Sequence, residues 1–193
     1  MARLIYAALM SLDGYIEDTD GRFDWAMPDV EVHEFVNDLE APLGTHLYGR
    51  RMYETMAAWQ EMGLAPGAHD AEAGYAEQWR ATDKIVYSRS LPEVWTPRTR
   101  LEREFDAGAV TQLRATSDRD ISVSGPGLAQ HAFAAGLVDD VHLFVFPIVV
   151  GGGKPALPQG QQVDMELVDQ RRFGRGVVHL HYVTRPPAGG ATH

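Results

Sequence analysis

The 193-residue chain has no cysteine. That excludes a disulfide framework, a thiolate metal site and any mechanism built on a cysteine nucleophile, and it fits a reducing, cytoplasmic compartment. Long apolar runs are missing too. The N-terminal stretch Leu4 to Met10 soon meets Asp13. It falls well short of the roughly 20 residues of a membrane span and lacks a signal-peptide cleavage region, so no membrane partner is expected. Positive charge is scarce: 17 Lys and Arg stand against 27 Asp and Glu, a net charge of −10. Such a surface repels phosphate backbones, which argues against nucleic acid as a partner. A nucleotide cofactor stays open, because a few local cations and a helix N-terminus can hold a phosphate.

What is present is the composition of a globular protein, 45% hydrophobic and 23% charged, at the length of one domain. Residues 1–185 are read as that domain, and the Gly/Pro/Ala-rich tail 186–193 is expected to be disordered. Leu4 to Met10 reads as a buried strand opening into the turn Ser11-Leu12-Asp13-Gly14. Val32, Phe35, Val36 and Leu39 recur at helical spacing after Pro28, and Pro42 and Gly44 are expected to stop that helix. Thr45 to Tyr48 is a brief strand, Gly49 a break, and Met52, Met56 and Trp59 mark a second helix. Residues 61–74 are rich in Gly, Ala and Pro and are expected to form a mobile loop. Lys84 to Ser88 and Ile121 to Ser124 are further strands, the latter followed by Gly125-Pro126-Gly127 and a helix from Leu128 to Ala135 closed by Gly136. Val141 to Val150 has the density of a strand buried on both faces. Val163 to Val168 and Val177 to Val183 flank a glycine turn and predict a closing hairpin. Strands alternating with helices give an α/β class with a mostly parallel central sheet and an antiparallel C-terminal hairpin.

Four ordered segments carry a resemblance: Ala7 to Ile16, Tyr48 to Glu54, Ser124 to Leu128, and Gly136 to Lys154. Together they resemble the C-terminal reductase domain of the bifunctional riboflavin-biosynthesis deaminase/reductase, a member of the dihydrofolate reductase-like superfamily. The resemblance implies a three-layer fold and an NADPH-dependent reductase, often a homodimer, that passes a hydride to a small-molecule acceptor. A pterin, a ribosylaminopyrimidine or another carbonyl or imine is the expected acceptor class. It also implies a cofactor site at Gly49, Arg50, Arg51 and Met52, at Ser88 and Arg89, and at Ser124, Gly125, Gly127, Leu128 and Ala129. The segment containing Ala8, Asp13 and Ile16 would line the substrate pocket, with Trp25 covering the nicotinamide. There are three departures from the pattern: Ser124 replaces a Glu, Val30 replaces the acid that follows the Trp-x-x-Pro stretch, and no aminohydrolase half is present.

The residues themselves support part of this. Glycines after a strand let backbone N–H groups approach a pyrophosphate, although Pro126 removes one donor; the same residues also suit an ordinary tight turn. The guanidinium of Arg50 or Arg51 would suit the 2′-phosphate that separates NADPH from NADH, or the pair could be solvated surface charge. Asp13 could relay a catalytic proton, or be a turn residue bonded to backbone. Trp25 could instead staple the helix after Pro28, and Asp29 is expected to cap it. The histidines show no ligand spacing, so no metal is expected, and His179 and His181 are read as an exposed or packed strand face. The competing reading is a nucleotide-binding or sensor protein without turnover, for which Ser124 is the motive.

Overall fold

The structure is a computed structural model that describes residues 1–62 and 69–185. The predicted tail and residues 63–68 of the predicted loop lie outside the described residues.

Among the described residues ten strands and five α-helices follow in order. They are β1 (Leu4–Ser11), β2 (Tyr15–Glu17), α1 (Val30–Glu40), β3 (Leu43–Gly49), α2 (Arg50–Met56), α3 (Asp70–Ala81), β4 (Asp83–Tyr87) and β5 (Thr99–Glu102). Then come α4 (Ala107–Thr116), β6 (Asp120–Ser124), α5 (Pro126–Ala134), β7 (Asp140–Phe146), β8 (Lys154–Pro155), β9 (Met165–Arg172) and β10 (Val178–Thr184). Eight strands form one sheet in the order β5-β4-β3-β6-β1-β7-β10-β9, and β2 pairs with β8 apart from it. From β5 to β7 every pairing is parallel, whereas β10 runs antiparallel to both β7 and β9.

Side chains alternate across the strands and so build a core on each face. Leu47, Ile85, Val123 and Leu143 meet Val110 of α4 and Leu128, Ala132 and Phe133 of α5. Their neighbours Tyr48 and Val86 meet Tyr53 of α2 and Tyr75 and Trp79 of α3. Phe144 and Phe146 meet Val32 and Phe35 of α1 and Phe173 of the hairpin turn. Helices therefore cover both faces of the sheet, giving the expected three layers.

Local signals account for the ends of several elements. Asp29 caps α1 by accepting the Val32 N–H at 3.1 Å, as its position predicts. After α5, Gly136 at φ +64° donates to Phe133 and Leu137 to Ala132, a Schellman closure that a left-handed glycine permits.

Four expectations are corrected. Gly44 lies inside β3 rather than ending α1; a Cβ there would meet Arg119 Cβ at 2.8 Å, so close neighbour packing explains the glycine. From Asp70 the predicted loop is helical, because Ala71, Tyr75, Ala76 and Trp79 form a buried stripe. The strand at 141–150 stops at Phe146, where Pro147 has no N–H to continue a ladder. The hairpin strands run later than expected, so Val163 precedes β9.

Candidate functional site

Parallel strands place their C-terminal ends on one sheet edge, where loops from neighbouring strands converge. The register aligns Tyr48 with Ser124 and Gly49 with Tyr87. The turn after β3, the loop after β4 and the glycine turn after β6 therefore lie side by side. Gly125 adopts φ +87°, and a Cβ there would sit 3.3 Å from Met52 Cβ. Both facts require glycine at the close approach of α5 to α2.

These loops enclose a cleft of about 690 Å³ lined by Gly49, Arg50, Arg51, Met52, Ser88, Arg89, Gly125, Gly127 and Leu128. Nine of the residues singled out from sequence thus come together. Ser124 and Ala129 do not join them: Ala129 is buried in the core, and its N–H donates to the Gly125 carbonyl at 3.0 Å. Leu128 donates to the same carbonyl at 3.1 Å, and Pro126 has no N–H. Gly127 is left as the amide of the first turn that has no backbone partner among the described residues.

Arg103 and Lys154 also line the cleft, so four arginines and a lysine face it, with Glu104 as its one acid. On a chain of net charge −10 that is a local reversal of sign. Three of the arginines hold only loose partners: Arg50 with Glu54 at 3.9 Å, Arg51 with Glu17 at 3.8 Å and Arg89 with Glu104 at 3.5 Å. Exposed pairs of this kind are worth about 0–1 kcal/mol and yield readily to a better anion. Arg103 has a different task, holding the loop after β4 through the carbonyls of Leu91 at 2.6 Å and Ser88 at 3.3 Å. Ser88 itself is buried and accepts the N–H groups of Ser90 and Leu91, leaving its hydroxyl proton to donate. Tyr87, Phe105 and His131 form an aromatic wall, with Phe105 and His131 stacked at 5.8 Å.

Sequence reasoning missed Arg103, Glu104, Phe105, Tyr87 and His131. No pattern marks them, because they meet only when β5 has paired with β4 and α5 has docked. Lys154 did carry a signal, the glycine run before it. Gly153 crosses the β2 loop so closely that a Cβ would lie 1.9 Å from the Glu17 carbonyl oxygen, and this crossing delivers Lys154 to the cleft.

The expected substrate residues are distributed differently. Ala8 is buried in the core, and Ile16 packs against that core from β2. Asp13 acts as a tether: one carboxylate oxygen accepts the Val150 N–H at 3.1 Å and the other the Gly151 N–H at 2.8 Å. The Ser11 hydroxyl, then the Gly151 and Val150 amides, hold its acid below the usual carboxylate range despite some loss of water. Both oxygens are thus engaged by backbone amides, the arrangement of the turn-residue alternative. Trp25 lines a second, smaller pocket of about 150 Å³ with Met27, Asp29, Phe146, Pro147, Ile148, Arg175 and Val177.

Of the two alternatives for the His179 and His181 strand face, the structure shows the packed one. His179 is buried and stacks on His142, with a ring-nitrogen contact of 2.9 Å, while His181 stacks on the other side of His142 with centroids 4.0 Å apart. Burial pushes His142 down to about 3 and His179 to about 4, so both are neutral. The β7–β10 pairing brings Asp140, His142 and His181 ligand atoms within 4.8 Å of one another, a grouping invisible in sequence spacing. Asp140 is already engaged by His181 at 2.8 Å and by Arg3.

No helix among the described residues is long and apolar enough to cross a membrane.

Comparison with known proteins agrees with this geometry. A family model described as the RibD C-terminal domain matches residues 2–179. The chain is 28% identical over 184 residues to the uncharacterized protein YyaP of Bacillus subtilis (strain 168), spanning 93% of this chain and 94% of that one. Among solved structures, a putative riboflavin biosynthesis protein from Shewanella sp. PV-4 superposes with a TM-score of 0.74 at 20% identity, over 96% of this chain and 100% of that one. A pyrimidine reductase-like protein from Corynebacterium diphtheriae does so at 0.67 and 14% identity, over 96% and 92%. At such identities the structural likenesses show the shared fold.

Proposed function

The chain belongs to the RibD C-terminal domain family, and from that premise we propose that it is an NADPH-dependent reductase passing a hydride to a small acceptor. One observation carries the cofactor assignment: a cleft with four arginines and a lysine beside a glycine turn, on an otherwise acidic chain. Its volume lies within the range of small-molecule sites. Gly125 and Gly127 leave room for a pyrophosphate against the start of the nine-residue α5, whose positive end favours it. Arg50, Arg51 and Arg89 are the candidates for the 2′-phosphate, and the wall of Tyr87, Phe105 and His131 suits a purine face.

A reduced nicotinamide supplies two electrons as hydride, and water supplies the accompanying proton to a C=O or C=N acceptor. The protein's share is placement. Asp13 fixes the segment at Val150 and Gly151, between the cleft and the pocket at Trp25. The proposal extends to a homodimer of this chain, on family grounds.

Titration of the purified protein with NADPH and separately with NADH, followed by tryptophan fluorescence, tests the reading. Saturable micromolar binding that prefers NADPH is expected. Binding of neither overturns it, and binding without turnover against any carbonyl or imine favours the sensor instead.

A further inference from the structure

The pocket at the C-terminal end of β7 differs in kind from the cleft. Its walls are Trp25, Met27, Phe146, Pro147, Ile148 and Val177. The Trp25 indole meets Phe146 edge to face at 6.5 Å, and its N–H is already donated to the Arg22 carbonyl. The walls therefore offer rings and methyls. Asp29 caps α1 through Oδ1 and also lines the pocket. Arg175 is the remaining charge; its side chain makes no hydrogen bond or ion pair among the described residues. It sits at φ +55°, a left-handed conformation that costs a non-glycine residue about 1–2 kcal/mol.

Size and surroundings narrow the ligand. A volume of about 150 Å³ is enough for a single ring the size of benzene. Leu12, Met27 and Val149 are 64%, 65% and 66% exposed, after Met1 the most exposed large hydrophobic side chains among the described residues, and Leu12 and Val149 flank Ile148. Exposed apolar side chains next to a pocket with two aromatic walls suit a binding surface better than scattered exposure.

Building on the reductase reading, we propose that this pocket is the acceptor subsite and takes a single-ring aromatic carbonyl compound rather than a sugar phosphate. The ring lies against Trp25 and Phe146, and an oxygen substituent faces Arg175. In the reaction the carbonyl carbon gains the hydride and its oxygen a proton from water. An aldehyde leaves as the alcohol while NADPH becomes NADP⁺.

The test uses ¹⁵N-labelled protein with 4-hydroxybenzaldehyde, 4-hydroxybenzoate and uridine 5′-phosphate as probes. Both aromatic probes should shift the Trp25 indole N–H and the Val177 amide saturably, and uridine 5′-phosphate should leave those signals in place. Met27→Glu, at an exposed site where folding is safe, should weaken both aromatic probes about fivefold. Arg175→Gly, which suits a left-handed turn, should weaken the benzoate about tenfold and the aldehyde less. Tighter binding of uridine 5′-phosphate at these signals, or no shift from either aromatic probe, overturns the proposal. NADPH titrated into the same sample and read at the Gly125 and Gly127 amides separates the two claims. NADPH binding without ring binding overturns only the pocket assignment, whereas ring binding without NADPH overturns the reductase reading and its acceptor role but leaves an aromatic site.

Discussion

The cleft at the ends of β3, β4 and β6 and the pocket at the end of β7 lie along the same sheet edge and differ in size and in lining: five cations in the cleft, two aromatic rings and one arginine in the pocket. The cleft is wide, about 690 Å³, and lined by glycines and cations; the pocket is narrow, about 150 Å³, and lined by rings and aliphatic groups. Clustered cations suit the cleft to a phosphorylated ligand, as proposed, and the aromatic walls suit the pocket to a ring, on one small domain of net charge −10. The Asp13 carboxylate, bonded to the Val150 and Gly151 amides, pins the chain between Ile148 of the pocket and Lys154 of the cleft.

The comparison breaks most completely at Gly153. A Cβ 1.9 Å from the Glu17 carbonyl, at φ +134°, cannot be relieved by a rotamer change. Gly153→Ala should therefore cost about 4 kcal/mol or more and lower the melting temperature, with loss of NADPH binding as Lys154 leaves the cleft. Next in size, Arg50→Ala should weaken NADPH by about 1.5–3 kcal/mol and NADH little; equal weakening of both would remove Arg50 from the 2′-phosphate. Salt sharpens the contrast with a smaller effect. Raising ionic strength from low values to about 0.5 M should weaken NADPH severalfold and leave 4-hydroxybenzaldehyde affinity unchanged, as measured by calorimetry. Asp13→Asn should have the least effect, since the amide oxygen still accepts one N–H. Turnover within about threefold of the parent is expected at neutral pH, whereas collapse of kcat would restore the proton-relay role.

Much of this contrast was legible before folding. The strand, turn and helix at Ser124 to Ala134 have their own local chemistry, glycine at positive φ and proline in the first turn, so sequence finds them. Arg50, Arg51 and Arg89 of the cationic side were named through the family resemblance, with the guanidinium's fit to phosphate supporting the first two. Helix α3 was not, because alanines and Gly74 dilute its stripe and only Tyr75 and Trp79 mark the buried face. Strand β5 alternates half-buried and exposed residues at a sheet edge, a pattern too weak to separate from loop, and Arg103 and Phe105 were lost with it. The apolar pocket was invisible except for Trp25, since Phe146 and Val177 are far apart in sequence and meet only through the β7–β10 pairing.

A crystal structure of the protein soaked with NADPH tests the central claim most directly. The account predicts pyrophosphate density against Gly125 and Gly127, with the 2′-phosphate within reach of Arg50, Arg51 or Arg89. Density elsewhere on the molecule, or a saturated soak that leaves this cleft unchanged, would contradict it.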